Sequence, residues 1–543
     1  MNKLTKTHKY LLSTLSGVLL TLSWLENGLP FLILFAFVPL FIIEYNHFLK
    51  KDENHSFDVV KYAAIAFAIW NTITTFWIKN AAWVGLIAAV VVNTLFMSLA
   101  FWLFHIYHRK NVQGGAAYLS FIAFVLSFEF LGLRWELNWP WLNLGNVFAN
   151  YPSWIQWYEY TGVSGGSLWI LLINIFIFFI LKNILLKDEK SKRSLWANSI
   201  ALALVFIVPF TISQIRFHTY EEEINPVNVI VVQPNLDPYT EQYEIEPTVV
   251  TSNMLTLAQR YVSDSTDVIA FPESAIQEYT YENSLAYAPS IQMIGEFLQQ
   301  SEREMYVIAG MSTKKNYGAD EKPSKTARKY SNADIYYDSY NTALLIDKEL
   351  NFQLHHKSKL TPGVEIMPFA KQLKFLEKYI LDFGGIVGSL GVDKVQKPLI
   401  ANDNIKVASI ICYESVFGEF CTEFVRNGAN LFCVITNDGW WGDTPGYKQH
   451  FSMSRIRAIE CRRSVARSAN TGISGFINQK GEVLHKTDYW VADSAAATLN
   501  LNNKITFYAK YGDYIQRISL LIAALSTLIL ITQGLLNKKR TTK

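Results

Sequence analysis

Apolar residues gather into long runs at the two ends of the chain, broken by short basic loops, while the middle alternates brief apolar runs with polar, helix-like stretches. Eight runs, at 10–25, 29–45, 59–78, 81–107, 116–133, 166–185, 195–215 and 514–535, approach the roughly 20 residues that a helix needs to cross a hydrocarbon core about 30 Å thick. The first two are short and fit either full spans or a re-entrant pair. Lys3, Lys6 and Lys9 precede the first run as in a secretory signal, but the apolar pattern soon resumes without a convincing small-residue cleavage site, which predicts an uncleaved span.

Basic residues orient this frame. If every run crosses, the groups Lys3–Lys9, Lys50–Lys61, Arg109–Lys110, Lys182–Arg193 and Lys538–Lys543 share one side, and the opposite short loops hold only Lys79 and Arg134. The excess of Lys and Arg in cytoplasmic loops predicts cytoplasmic termini, with only a short basic tail after Leu535, and places 217–513 on the outer face, the periplasm of a diderm cell. The loop 134–165, dense in Trp and Tyr, predicts an interfacial aromatic belt, with substrate contact as the alternative. Glu129 stands within a run, near an outer end from which it reaches water, and its burial cost leaves a functional role open.

In the middle, runs at 227–232, 268–271, 306–309, 342–346, 407–411, 431–435 and 472–477 read as strands, and 249–262, 290–302 and 449–464 as helices. That alternation predicts an α/β layered domain, with the charged stretch 314–334 a mobile loop. The expected organisation is 1–216 transmembrane helices, 217–513 a water-exposed catalytic domain, and 514–543 a final transmembrane helix with its tail.

Composition supports the division. Half of the 543 residues are hydrophobic and 17% are charged, unlike a soluble enzyme. A net charge of +3 over this length is no nucleic-acid signature. Cys412, Cys421, Cys433 and Cys461 are too few and too irregular for a disulfide framework or a CxxC metal site. Cys433, in LFCVIT, reads as core, and Cys421 and Cys461 fall in helix-like segments. No metal or organic cofactor is expected.

The run 407–411 ends on Cys412 and turns polar within two residues, which puts the thiol at the carboxyl end of a buried strand, where open α/β sheets place ligands. A cysteine in apolar company is more often an inert core residue. Two other stretches shift the balance. VIAFPES ends an apolar strand on Glu273, and HHKSKLTPGVEIMPF carries Lys357. Each has a plainer reading: Glu273 as a helix cap, and Lys357 as one of a solvated basic group with His355, His356 and Lys359. Together they supply a proton acceptor, a fixed cation and a thiol. A thiol near its ordinary pKa of about 8.5 is mostly protonated at neutral pH, so Glu273 would take its proton while Lys357 favours the thiolate and then the oxyanion. The product would be a thioester on Cys412. Water as acceptor makes a hydrolase, and an amine makes an N-acyltransferase.

FPES, HHKSKLTPGVE, IICYESVFGE and the later TNDGWWGDTPGYKQH resemble the carbon-nitrogen hydrolase (nitrilase) superfamily, and the flanking apolar frame makes the whole chain similar to its bacterial apolipoprotein N-acyltransferase family. The resemblance implies an αββα sandwich and a catalytic Glu273, Lys357 and Cys412. It also implies supporting or substrate-binding roles for Glu365, Tyr413, Glu414, Trp440 and Trp441, with Glu365 and Glu414 holding Lys357 and Glu273. Trp440 and Trp441 are equally well read as core aromatics. Gly363 and Val364 replace the family's usual Phe-Gly before Glu365, and Tyr239 and Tyr243 are the aromatics nearest its acyl-contacting tryptophan. The implied partners are a phospholipid acyl donor, a diacylglyceryl apolipoprotein acceptor and the lipid bilayer of the bacterial inner membrane, in the last step of lipoprotein maturation. A membrane-tethered amidase or nitrilase is the alternative. A transporter with a degenerate domain is disfavoured by the intact triad and by spans lacking a run of paired charges.

Overall fold

Helices Lys6–Trp24, Val38–Leu49, Asp58–Thr75, Trp83–Arg109, Gly115–Gly132, Tyr158–Leu186, Glu189–Thr219 and Tyr514–Thr541 occupy the positions of the apolar runs in a computed structural model that describes residues 4–26, 28–110, 115–186, 189–318, 320–369 and 389–541. Lys3, Lys187 and Lys543, used above for orientation, lie outside those residues. Among them, six segments are long and apolar enough to cross a membrane: Pro30–Leu49, Trp83–Arg109, Gly115–Gly132, Tyr158–Leu185, Ser191–Thr219 and Tyr514–Gln533. The helices Lys6–Trp24 and Asp58–Thr75 do not meet that mark.

The chain divides into two units, one holding the residues up to Phe76, Leu86–His218 and those from Asp513 onward, the other Trp77–Gly85 with Thr219–Gly512. In the first, the run 29–45 is interrupted: a 3₁₀ turn at Pro30–Leu34 gives way to the helix at Val38. The Asn174 side chain satisfies the break, accepting from Phe37 N–H at 2.9 Å and donating to Ile33 O at 2.9 Å, as apolar surroundings require. Phe41 packs edge-on against Phe121, Tyr118 and Phe104 with ring centroids 5.1 to 6.2 Å apart. One expectation changes here. Glu129 does not reach water: it is buried and accepts from Leu144 N–H at 2.8 Å and Ser167 Oγ at 3.0 Å, anchoring the Trp-rich loop. In that loop Trp141 and Trp157 are buried, Trp135, Trp139 and Trp154 are half-buried, and Tyr151 and Tyr160 are exposed. Within the helices, buried Glu44 lies 2.8 Å from His105 Nδ1 and 3.0 Å from His108 Nδ1.

The second unit carries strands β1 (Pro226–Gln233), β2 (Val268–Ala270), β3 (Ile276–Tyr281), β4 (Tyr306–Asn316), β5 (Arg328–Lys329), β6 (Tyr336–Ile346), β7 (Phe352–His356), β8 (Leu399–Ile400), β9 (Lys406–Ile411), β10 (Leu431–Thr436), β11 (Val465–Ala469), β12 (Gly475–Ile477), β13 (Val483–Lys486) and β14 (Asp493–Asn500). The described strands form an eight-stranded sheet ordered β14-β1-β2-β4-β6-β5, with β3 on β4 and β7 on β6, and a six-stranded sheet ordered β13-β12-β11-β10-β9-β8. Alternation along the strands builds the layers. Val227, Val229 and Val231 of β1 and Val268 and Ala270 of β2 meet Leu431, Cys433 and Ile435 of β10 between the sheets. The intervening Ile230, Val232, Ile269 and Phe271 pack against Val250, Met254, Ile291 and Ile294 of the helices Pro247–Gln259 and Pro289–Gln299. Burial on both faces explains why these strands read as unbroken apolar runs. The result is the αββα sandwich. The stretch 314–334 is not simply a loop, because β4 continues through Asn316 and β5 pairs with β6.

Candidate active site

Three strand ends converge in the second unit. Glu273 follows β2 and Lys357 follows β7 in the eight-stranded sheet, and Cys412 follows β9 in the other. Cys412 has φ +50°, a left-handed conformation uncommon without a glycine, which turns the chain sharply from β9 into the 3₁₀ helix Cys412–Val416. Ser274, next to Glu273, is also left-handed at +53°. The chain passes from Glu273 into β3 and not into a helix, so the cap reading falls away.

Lys357 is 2% exposed, which overturns the solvated reading. Its Nζ donates at 2.9 Å to Glu273 Oε1 and at 2.9 Å to Glu365. Asn341 Nδ2 bridges the same two carboxylates at 2.8 and 2.9 Å, and Glu273 Oε2 accepts from Asn437 N–H at 3.1 Å. Burial by itself would depress the Lys357 ammonium, but Glu273 and Glu365 lift it well above the ordinary lysine value, leaving a permanent cation. Burial tends to raise the Glu365 carboxyl, and Lys357 with Thr361 N–H overcomes that and holds it down. Burial and then Glu273 push the Cys412 thiol up, against the pull of Lys357. The resting site therefore holds a protonated thiol, a fixed ammonium and an ionised Glu365.

Glu414 is placed differently from the expectation. Its hydrogen bonds run to the backbone beside Lys357 and Cys412 and to His355. Fully buried, it accepts from Ile411 N–H at 2.8 Å, Ser358 N–H at 2.6 Å and His355 Nε2 at 3.2 Å. Tyr413 is buried edge-on against Phe417, with centroids 5.2 Å apart. Trp440 and Trp441 are half-buried in the 3₁₀ turn Asp438–Trp441. Trp440 packs edge-on on Tyr239 at 5.1 Å, and Trp441 lies 4.9 Å from the Trp77 ring and 5.4 Å from His450. Asn80 Nδ2 donates to Trp441 O at 2.7 Å. Tyr243 is exposed. Cys421, Cys433 and Cys461 are buried and free, and burial raises all three thiols.

One group behind Cys412 escapes sequence reasoning. Asp438, His450 and Arg467 are all fully buried; Arg467 donates to Asp438 Oδ2 at 2.7 Å and His450 Nδ1 lies 2.9 Å from Asp438 Oδ1. His450 Nε2 is 3.1 Å from Cys412 O and 2.9 Å from Ser415 Oγ, so the network braces the left-handed turn. The signal was an arginine inside the apolar run VARSA, a charge that a buried strand tolerates only when paired.

The family model described as carbon-nitrogen hydrolase matches residues 229–506, and that described as the apolipoprotein N-acyltransferase N-terminal domain matches residues 16–176. An apolipoprotein N-acyltransferase of Chlorobaculum tepidum is 28% identical over 537 residues, covering 96% of each chain. One of Geobacter metallireducens is 26% identical, covering 93% of this chain and 92% of its own. One of Pasteurella multocida is 26% identical over 76% of this chain and 73% of its own. With the hydrolase match spanning just over half of its length, the chain belongs to the carbon-nitrogen hydrolase family and carries, ahead of that domain, an N-terminal domain of the apolipoprotein N-acyltransferase type.

Proposed function

We propose that this protein is an apolipoprotein N-acyltransferase, moving an acyl chain from a phospholipid through a thioester on Cys412 to the free α-amine of the diacylglyceryl-cysteine that begins an apolipoprotein. One observation carries this reading: a single chain joins a buried Glu-Lys pair and a cysteine at a strained strand end to long apolar helices of the type found in named acyltransferases. Both substrates are lipids, and a site beside the outer leaflet receives each laterally without passage through water.

Each residue has a role that its surroundings support. Lys357, a permanent cation, cannot serve as base, so the thiol proton goes to Glu273 as Sγ attacks the ester carbonyl. The ammonium opposes the charge that develops on the carbonyl oxygen. Collapse expels the lysophospholipid alkoxide, which takes the proton back from Glu273 and leaves the thioester. The amine then attacks, its proton passes to Glu273, and the departing Cys412 sulfur recovers it. Glu365 and Asn341 keep the pair aligned. Residues 217–513 form the catalytic domain in the periplasm, between the transmembrane parts 1–216 and 514–543, an orientation supported by the basic loops, which fall on one side if each apolar run crosses. Incubation with acyl-labelled phospholipid should label the wild type on Cys412 and leave Cys412→Ala unlabelled. A labelled Cys412→Ala protein defeats the assignment. Mass analysis of lipoprotein N-termini separates the amine acceptor from water, because a third acyl chain should vanish on inactivation.

A further inference from the structure

Glu273 and Lys357 hang from one sheet and Cys412 from the other, so their alignment depends on how the two sheets are held together at this end of the sandwich. Dispersion packing between Val, Ile and Leu side chains tolerates small sliding. Directional bonds do not. Glu414 supplies such bonds at the place where they matter. Its Oε2 takes Ile411 N–H, one residue before the nucleophile, and its Oε1 takes Ser358 N–H, one residue after Lys357. A carboxylate in that position, with no surface exposed to water, needs a countercharge.

His355 provides it. The ring is 2% exposed, its Nε2 lies 3.2 Å from Glu414 Oε2, and its Nδ1 lies 3.6 Å from Asp393 Oδ2. The ring rests edge-on against Phe424 of the helix Gly418–Arg426, with centroids 5.1 Å apart, which fixes its orientation. His355 sits on β7, two residues before Lys357, while Phe424 and Glu414 follow β9. The imidazole thus links the two sheets.

We infer that His355 is a positioning residue for the acyl-transfer site, acting as an imidazolium that clamps Glu414 and thereby sets Lys357 against the Cys412 turn. The inference rests on the chemical roles proposed above for Lys357 and Cys412. Glu414 and Asp393 face the ring from the other elements packed on it, and His356, its chain neighbour, is itself bound to Asp393 and Glu282 at 2.8 Å. Burial alone would lower the His355 imidazole, but Glu414 and Asp393 raise it to about 9. The clamp is closed at neutral pH and opens as pH rises through that value. Because the folded value lies above the ordinary one, the stability it contributes is fully present below about 6.5 and is lost on the alkaline side.

The test compares His355→Gln and His355→Phe with wild type in the full-length, detergent-solubilised protein, following single-turnover acylation of Cys412 by labelled phosphatidylethanolamine and phosphatidylglycerol from pH 6 to 10. A misalignment approaching 1 Å lowers the acylation rate of His355→Phe on the order of 10²-fold at saturating lipid, with KM little changed. His355→Gln, which keeps a donor for Glu414, recovers part of that loss. In wild type the rate acquires a falling alkaline limb near pH 9, and in His355→Gln that limb disappears. Equal rates and identical alkaline limbs in wild type and both variants overturn the clamp. If His355→Phe does not fold, His355→Gln decides alone, since a merely structural histidine would leave its pH profile unchanged. Failure of the chemical reading is distinguishable, because it shows as acylation of Cys412→Ala whatever His355 does.

Discussion

Gly310, in the middle of β4, is the most exacting backbone position near the candidate site, and replacing it with alanine tests whether Glu273 must sit where it does. A Cβ there would stand 2.6 Å from Ser274 N, 2.7 Å from the Glu273 Cα and 2.7 Å from Pro272 O. All three atoms are backbone, so no side-chain rotation relieves the clash. Ordinary contact between such atoms begins at about 3.5 Å, so the segment Pro272–Ser274 has to retreat by roughly 0.8 Å. Gly310 N–H also donates to Pro272 O at 3.1 Å, a bond that the retreat stretches. Overpacking of this kind costs about 1–3 kcal/mol, and carrying Glu273, the proposed base, that far from the thiol should slow acylation by roughly 10- to 100-fold. Gly318→Ala, where a Cβ meets nothing within 4 Å, is the control and should stay within about 0.5 kcal/mol of wild type. Thermal unfolding and single-turnover acylation of Cys412, measured on both variants, give the answer. A Gly310→Ala protein with wild-type Tm and wild-type acylation rate would refute the placement of Glu273 as the base.

Other outcomes rest on the same arrangement. Lys357→Met leaves Glu273 and Glu365 facing each other without their cation, so thioester formation should be lost and stability should fall by about 3–5 kcal/mol at neutral pH, partly restored on acidification as a carboxyl protonates; a Tm independent of pH would contradict it. Because burial and Glu273 push the Cys412 thiol up, alkylation of the free enzyme by iodoacetamide should climb steadily from pH 7 to 10. A plateau near neutrality would mean a preformed thiolate. Asp438→Asn removes the charge opposite buried Arg467 and should cost about 3–5 kcal/mol by chemical denaturation, whereas an unchanged midpoint would show that the pair is not structural.

The layered fold was legible because its strands are buried on both faces and therefore read as unbroken apolar runs, as at 227–232 and 431–435. The candidate site was legible where such a run stops on a polar residue, at Glu273 and Cys412. What stayed hidden depends on partners distant in the chain. Nothing around Asn341 tells that its side chain bridges Glu273 and Glu365. His355 looked like part of a basic surface group until burial against Glu414 showed otherwise. Glu129 was read as reaching water because its place along a helix does not reveal the loop folded over it. Val465–Ala469 was overlooked as a strand because its arginine breaks the apolar pattern, although Asp438 neutralises that charge inside the fold.

The nine residues Trp77–Gly85 belong to the catalytic unit although the rest of it starts at Thr219. A Cβ on Gly446 would lie 2.7 Å from the Trp77 indole, so that ring occupies a slot that only glycine leaves open. A fragment expressed from Thr219 to Gly512 would therefore be born with an empty indole-shaped notch beside Trp441, prone to aggregation. Supplying 77–85 as a separate peptide, or splicing it onto the fragment, should fill that notch.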